Sequence, residues 1–241
     1  MILLAAFSVV LARWSGQRDL LIGSPVAGRS HKDLEPIVGF FVNTLPLRID
    51  ASPSARLTFA QLIARVRETC TAAYTYSDLP FEKLVQALGP DRTRGLVPLV
   101  RVMLALRDVP GGEISLSGLE ISEIDIVSQS SKFDLTLDLV RNAGGGLRGR
   151  VEFSTDLFAP ATAERVGRAF LQVLQSALAD PKRPVDRLPL VDAEERKRLL
   201  MERSGDGSGA AADTAGCLHQ LIDARAASHP SALQSPAEDA P

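Results

Sequence analysis

The sequence predicts an α/β fold in which helices pack on a β-sheet. Strand-like runs recur along the chain, either rich in β-branched and aromatic residues or alternating between apolar and charged residues. Longer segments repeat their apolar residues every three to four positions, which is typical of helices that bury one face. The chain has 241 residues, of which 45% are hydrophobic, so it can form one good-sized domain and part of another.

Charge and cysteine content argue against several kinds of partner. The net charge is −2 and 23% of the residues are charged, which gives no electrostatic footprint for nucleic acid or for an anionic membrane. The two cysteines, Cys70 and Cys217, lie far apart, so they form neither a disulfide framework nor a metal-ligand spacing. We therefore expect no metal site, and a reducing, cytoplasmic compartment.

The first predicted element is a buried helix. Residues 1–12 are almost wholly apolar, and the helix predicted from them ends near Gly16. It is shorter than the roughly 20 residues that cross a bilayer. No basic residue precedes it, as one would in a secretory signal. A helix in the protein core is therefore the favoured interpretation.

Two strands are predicted next, at 19–26 and 39–48. Pro25 cannot donate to a strand ladder and therefore indicates an edge, a bulge or the end of the first strand. The second is aromatic and β-branched, as a buried strand should be, yet Asn43 and Thr44 lie in its apolar stretch. A buried amide or hydroxyl without a partner costs about 1–3 kcal/mol. These side chains are therefore expected either to fix a neighbouring loop or to line a wet channel.

Further helices and strands follow. Thr58 and Gln61 form a capping-box signal for a helix over 57–74. Asp78 is a plausible N-cap for a shorter helix, with Pro80 tolerated in its first turn. The remaining predictions are a strand over 100–106, two short extended pieces within 114–126, and the clearest helix at 160–179.

An antiparallel hairpin is predicted between residues 133–139 and 147–153, since both alternate between apolar and charged residues. Asp134 and Asp138 point the same way and could serve as a carboxylate pair for acid–base chemistry. They share the polar face with Arg148 and Arg150, however. Cross-strand ion pairs explain the two carboxylates better.

A resemblance to a known family rests on several motifs in the same order. Residues 22–29 read IGSPVAGR and residues 38–48 read VGFFVNTLPLR. They resemble the condensation domain of nonribosomal peptide synthetases, where a GxFVNT strand follows an IGxPVAGR strand. A later (H/N)QDxPFE motif matches at residues 78–82, although Tyr76 and Ser77 replace its first pair. In the element RDxSRNPLFQV, Arg92, Pro98 and Leu99 match, whereas residues 95–97 (GLV) replace its Ser-Arg-Asn.

The resemblance implies a fold and a domain organisation. We expect a two-layer mixed sheet with helices over residues 1–187, similar to the C-terminal lobe of the chloramphenicol acetyltransferase-like, CoA-dependent acyltransferase fold. Residues 188–216 would be the linker between condensation and adenylation domains. Residues 217–241 resemble the first turns of an adenylation domain, with His219 and Leu221 in the LHxL pattern.

The resemblance also implies two sets of site residues. The first set would line a substrate tunnel or meet a second lobe: Ser24, Arg29, Gly39, Phe41, Asn43 and Thr44. The second set would support motif structure: Asp78, Pro80, Phe81, Glu82, Arg92 and Pro98. No catalytic residue and no metal ligand is assigned.

The implied activity is amide-bond formation between carrier-bound aminoacyl or peptidyl thioesters in secondary metabolite biosynthesis. The family carries a catalytic HHxxxDG motif in its first half. The three histidines here, His31, His219 and His229, are not adjacent, so the lobe with that motif is expected to be absent from the chain.

The partners implied are peptidyl or aminoacyl carrier proteins bearing phosphopantetheine, the N-terminal condensation lobe and an adenylation domain. No cofactor would bind directly, and neither nucleic acid nor a membrane is expected. One alternative is a catalytically inactive, truncated remnant or binding module. A second alternative is an acyltransferase of another branch, which the adenylation-like residues 217–241 disfavour.

Overall fold

The computed structural model describes residues 1–51, 57–88, 99–108, 130–141, 145–204 and 227. The chain divides into two compact units, residues 1–192 and 193–241. The predictions at Arg92, Pro98, 114–126 and His219 lie outside the described residues.

The first unit contains four helices and five strands among its described residues. In chain order they are α1 (Ile2–Ser15), β1 (Asp19–Val26), β2 (Asn43–Asp50), α2 (Phe59–Thr75), α3 (Phe81–Leu88), β3 (Val102–Asp108), β4 (Leu135–Arg141), β5 (Leu147–Phe153) and α4 (Pro160–Ala179). Short 3₁₀ turns lie at Lys32–Leu34 and Val185–Arg187. The described part of the second unit includes one further helix, α5 (Ala193–Ser204).

The strands form one mixed sheet in the order β2-β1-β3-β4-β5. The outer pairs, β1 with β2 and β4 with β5, are antiparallel. The inner pairs, β1 with β3 and β3 with β4, are parallel. The predicted α/β class with a mixed sheet is confirmed, and so is the hairpin.

One face of this sheet carries the core. Alternate strand residues such as Ile22, Leu47 and Leu137 are buried there against α1, α2 and α4. The ring of Phe7 from α1 meets that of Phe170 from α4 edge to face, with 6.3 Å between ring centroids. The apolar stripes predicted for α2 and α4 therefore do bury themselves on the sheet.

Helix boundaries follow the capping residues of the sequence. Helix α1 ends before Gly16, whose φ of 71° is the left-handed conformation typical of a helix C-terminus. Before α2, the Thr58 backbone N–H donates to the Gln61 side chain at 2.9 Å, and the Gln61 N–H donates to the Thr58 hydroxyl at 3.3 Å. The predicted capping box is thus present.

The segment after α4, which is part of the first unit, packs against the end of α1 and the start of α2. The Val185 N–H donates to the Leu57 carbonyl at 2.9 Å, which places this segment beside the start of α2. A guanidinium nitrogen of Arg13 donates to the carbonyls of Asp186 and Leu188, at 2.9 and 3.2 Å. Leu188 lies just past the expected boundary at Arg187, yet it is fully buried.

The second strand begins later than the sequence pattern indicates. Strand β2 starts at Asn43 rather than Gly39, and the Phe40 side chain is 90% exposed instead of buried. The reason is the register of the sheet: Asn43 pairs with Val26, the last residue of β1. No β1 residue remains to pair with residues 39–42, so a strand-like composition there does not become a strand.

Candidate functional site

Asn43 uses its full hydrogen-bonding capacity at the start of β2. Its amide nitrogen donates to the carbonyls of Ser77 and Leu79, at 2.9 and 2.8 Å. Its amide oxygen accepts the backbone N–H groups of Thr44 and Phe81, at 2.9 and 3.1 Å. An asparagine side chain offers two donor hydrogens and one carbonyl oxygen with two lone pairs. Of the two expected roles, the structure shows the fixing of a neighbouring loop.

The loop that Asn43 fixes carries the residues of the later motif. Ser77 and Leu79 flank Asp78, and Phe81 is the first residue of α3. The first N–H groups of a helix have no partner within the helix, so the Asn43 oxygen supplies one for Phe81. Two motifs that lie far apart in sequence are therefore joined by one side chain.

Arg29 organises the connection between β1 and β2. Its guanidinium lies 4.5 Å from the centroid of the Phe41 ring, a cation–π contact. It donates to the Leu34 carbonyl, and at longer range to the carbonyls of Glu35 (3.3 Å) and Gly39 (3.4 Å). The Arg29 donors are thus directed to the backbone of its own loop.

Gly28 permits this arrangement. Its φ is 65°, a conformation that side-chain-bearing residues rarely adopt. A Cβ at this position would lie 1.9 Å from the Phe41 carbonyl oxygen. The close approach of the two ends of the connection therefore requires glycine, which sequence reasoning did not single out.

Apolar side chains project from the two segments that Arg29 and Asn43 hold. We call residues 36–42 and 76–80 the Asn43 surface. Val38 is fully exposed, Phe40 is 90% exposed and Tyr76 is 72% exposed. Exposed large apolar side chains grouped in this way mark interaction surfaces more often than isolated ones do.

The first set of predicted site residues is only partly brought together. Arg29, Gly39 and Phe41 share one connection, and it leads directly into Asn43. Ser24 and Thr44 sit on neighbouring register pairs, Ser24 with Leu45 and Thr44 with Pro25. They therefore face opposite sides of the sheet, since side chains alternate along a strand.

The carboxylates of Asp134 and Asp138, at the predicted hairpin, form ion pairs with arginines. Asp138 accepts from Arg107 on β3 and, at 3.2 Å, from Arg150 on β5. Asp134 pairs with Arg101, which lies just before β3, and not with the β5 arginines that the sequence suggested. The carboxylates serve as ion-pair partners, and the cross-strand interpretation is correct for Asp138 and Arg150.

The described titratable groups offer little reactivity. Burial raises the pKa of the Cys70 thiol, which disfavours the nucleophilic thiolate. The side chain of His31 is 75% exposed and lies 3.2 Å from the carboxylate of Asp33. Within the described ranges, no three His, Cys, Asp or Glu side chains are grouped to hold a metal ion. None of the helices in those ranges has the length and apolar character that crossing a membrane requires.

Comparison with known proteins identifies the family. The profile of the condensation domain matches residues 1–200. A linear gramicidin synthase protein of Brevibacillus parabrevis is 40% identical over 224 residues, which are 92% of this chain and 3% of that protein. Malpinin synthetase of Mortierella alpina is 39% identical over 233 residues, 97% of this chain and 3% of that protein. The chain thus spans a small fraction of the length of these relatives.

Solved structures show the same relationship. A four-domain nonribosomal peptide synthetase bound to AMP and glycine superposes with a TM-score of 0.71 and 25% identity, over 81% of this chain and 16% of that one. The first condensation domain of the calcium-dependent antibiotic synthetase has the same fold, with a TM-score of 0.64 and 24% identity. The match covers 79% of this chain and 41% of that one. The chain therefore belongs to the condensation domain family of nonribosomal peptide synthetases.

Proposed function

We propose that residues 1–187 form the C-terminal lobe of a condensation domain that joins carrier-bound aminoacyl or peptidyl thioesters through an amide bond. The observation that carries the proposal is the joining of three family motifs, at 22–29, 38–48 and 78–82, through Arg29 and Asn43. A match over 41% of a condensation domain structure supports a single lobe. Residues 188–216 would then link this lobe to an adenylation domain that begins at 217–241.

The proposed reaction needs a group that handles a proton. The acceptor amine attacks the donor thioester carbonyl, a C–N bond forms, the C–S bond breaks, and the proton lost by the amine ends on the phosphopantetheine thiol. In the family a histidine of HHxxxDG positions or deprotonates the amine. That motif does not occur in these 241 residues. Catalysis would therefore require a lobe that carries it.

We assign the Asn43 surface to the interface between this lobe and the lobe that carries HHxxxDG. Ile37, Val38, Phe40 and Val42 are all exposed, and an apolar surface of this kind is stabilised when a second protein surface covers it. Arg29, Gly39, Phe41 and Asn43 would hold the interface in shape. Ser24 and Thr44, which face opposite sides of the sheet, would each either line the substrate tunnel or meet the second lobe. Asp78, Pro80, Phe81 and Glu82 would support the loop that Asn43 fixes.

The proposal includes further partners and a location. Phosphopantetheine would reach the tunnel on peptidyl and aminoacyl carrier proteins, and the lobe would bind no cofactor of its own. Similarity to a solved four-domain nonribosomal peptide synthetase supports partnership with an adenylation domain. Two widely separated cysteines favour a cytoplasmic location.

A condensation assay tests this function. The chain is mixed with donor and acceptor carrier proteins loaded with a panel of amino acids, with and without an N-terminal lobe from a related condensation domain. Dipeptidyl product is detected by mass spectrometry. We expect product only when the lobe with HHxxxDG is present. Product from the chain alone would contradict the proposal.

A second candidate is a remnant or binding module without catalysis. It is favoured by the absence of adjacent histidines in the sequence. Failure of every tested lobe to give product, although the lobe binds the chain, would support this candidate over the first.

A further inference from the structure

A cleft separate from the Asn43 surface lies between the last turns of α1 and the beginning of α4. Its volume is about 580 Å³, within the range of roughly 300–1,000 Å³ that is common for ligand pockets. Its walls are mostly apolar and include Val10, Leu20 and Leu135. Clefts of this size and lining, with a few polar groups at their edge, are the usual sites of small-molecule binding.

The position of this cleft separates it from the Asn43 surface. The cleft is lined by β1 from its first residue, Asp19, to Ile22, whereas Asn43 pairs with the last residue of β1, Val26. Four residue steps of a β-strand, from Ile22 to Val26, span roughly 13 Å. The cleft therefore lies along the first half of the strand and the Asn43 surface lies beyond its other end, so the two are distinct sites.

Two aromatic rings line the cleft. Trp14, on the last turn of α1, is 42% exposed, and Phe158 lies just before α4. Aromatic side chains favour other rings in stacked or edge-to-face arrangements, and such pairs contribute beyond the area they bury. A planar ring is therefore the shape these walls complement best.

Charges around the cleft cancel in pairs. Arg101 forms an ion pair with Asp134, and Asp19 forms one with Arg48 at 2.7 Å. A ligand with a net charge would find no uncompensated partner among these groups, so transfer from water would cost it solvation without full compensation. The cleft is thus suited to a neutral ligand.

Arg101 nevertheless has N–H donors that its ion pair with Asp134 does not use. Its Nε atom donates to Asp134, while its two terminal nitrogens make no hydrogen bond to any residue in the described ranges. A guanidinium offers five N–H donors in a fixed plane. An acceptor on the ligand could therefore be bound at the edge of the cleft.

We propose that this cleft binds a neutral, planar aromatic molecule carrying a hydrogen-bond acceptor, with its ring beside Trp14 and Phe158 and its acceptor on Arg101. The apolar floor and the paired charges select against anions and cations. Nothing in the proposed condensation reaction uses this position, so the cleft is a second ligand site of the lobe.

The chain provides its own reporter, because Trp14 is its single tryptophan. The test titrates the full chain with 7-methoxycoumarin, a neutral planar ring with a carbonyl acceptor that absorbs where tryptophan emits. We expect saturable quenching of Trp14 emission. The same ring bearing an acetate group should bind at least about ten-fold more weakly, since a carboxylate loses solvation in a cleft whose charges are already paired.

Matched arginine variants isolate the role of Arg101. Arg101→Ala combined with Asp134→Ala keeps the cleft neutral and removes the donors. It should weaken binding about ten-fold, which corresponds to about 1.4 kcal/mol. The control is Arg107→Ala with Asp138→Ala, an ion pair at the other end of β3 whose arginine is 56% exposed, against 54% for Arg101. It should leave binding within about two-fold of the unmodified chain.

Three results would overturn the inference. The first is the absence of saturable quenching by 7-methoxycoumarin. The second is an equal loss of binding in the two arginine pairs. The third is tighter binding of the acetate-bearing ring, which would show that the cleft selects anions. Phe158→Leu offers a separate check, since removing one aromatic wall should weaken binding of the ring without touching the Arg101 donors.

Discussion

Replacing Asn43 by leucine removes all four hydrogen bonds of this side chain, three of which join β2 to the loop before α3 and to the first residue of that helix. The carbonyls of Ser77 and Leu79 and the N–H groups of Thr44 and Phe81 each lose a partner. A hydrogen bond contributes about 0.5–1.5 kcal/mol net, so four give about 2–6 kcal/mol. The bond to Leu79 is exposed, and water can replace part of it. We therefore expect about 2–3 kcal/mol of lost stability, toward the low end of that range.

This loss is measurable by urea and thermal unfolding followed through Trp14 emission. For a protein of this size, 2–3 kcal/mol lowers Tm by about 4–12 °C. Asn43→Asp keeps the acceptors but loses both donors and turns a carboxylate toward two carbonyl oxygens, so it should destabilise at least as much. The matched control is Gln175→Leu, an amide-to-leucine change at an exposed position of α4. If Asn43→Leu cost no more stability than this control, the four hydrogen bonds of Asn43 would not stabilise the fold.

Three further predictions concern single residues. Arg29→Ala should destabilise residues 30–42 by about 1–2 kcal/mol, which hydrogen exchange would detect as faster amide exchange in these residues but not in β4. Arg29→Lys should recover only part of the protection, because one ammonium group cannot reproduce the contacts of a planar guanidinium. Gly28→Ala should lower the free energy of unfolding more than Gly145→Ala does. Both glycines have a positive φ, but only at Gly28 would the added Cβ lie 1.9 Å from a carbonyl oxygen. Equal losses of stability would show that this close approach is relieved without strain. In a Cys217→Ser chain, the remaining thiol, Cys70, should react with a disulfide reagent about 100-fold more slowly in the folded protein than in urea. A folded thiol that reacts at the unfolded rate would contradict the burial of Cys70. Since burial raises the pKa of Cys70, the contribution of this thiol to stability is present below the ordinary thiol pKa and is lost as the pH rises through the pKa of the folded protein.

The parts of the fold that sequence patterns predicted are those with local causes. Helix α4 begins and ends at the predicted residues because Pro160 suits the first turn and Pro181 follows its end. Strand β1 also has the predicted bounds. The capping box of Thr58 and Gln61 needs only residues three apart, so it too is visible in the sequence.

The parts that sequence patterns missed depend on distant residues. The start of β2 is decided by the end of its partner strand at Val26, which the composition of residues 39–42 does not contain. Three partners of Asn43 are backbone groups 34 to 38 positions away, so the sequence could show that the amide needs partners but not which ones. Asp134 likewise pairs with an arginine 33 positions earlier instead of one on the adjacent hairpin strand.

The central proposal is that residues 1–187 form one lobe of a condensation domain and act only together with a second lobe that carries HHxxxDG. A titration with that second lobe tests this proposal most directly. Dipeptidyl product is measured at increasing concentrations of that lobe, with the chain and the loaded carrier proteins held constant. We expect no product without the lobe and a saturable rise with it. Phe40→Ser, which alters the Asn43 surface, should raise the half-saturating concentration, and the control Leu171→Ser on the exposed face of α4 should leave it unchanged. Product that forms without the lobe, or that does not depend on its concentration, would contradict the claim.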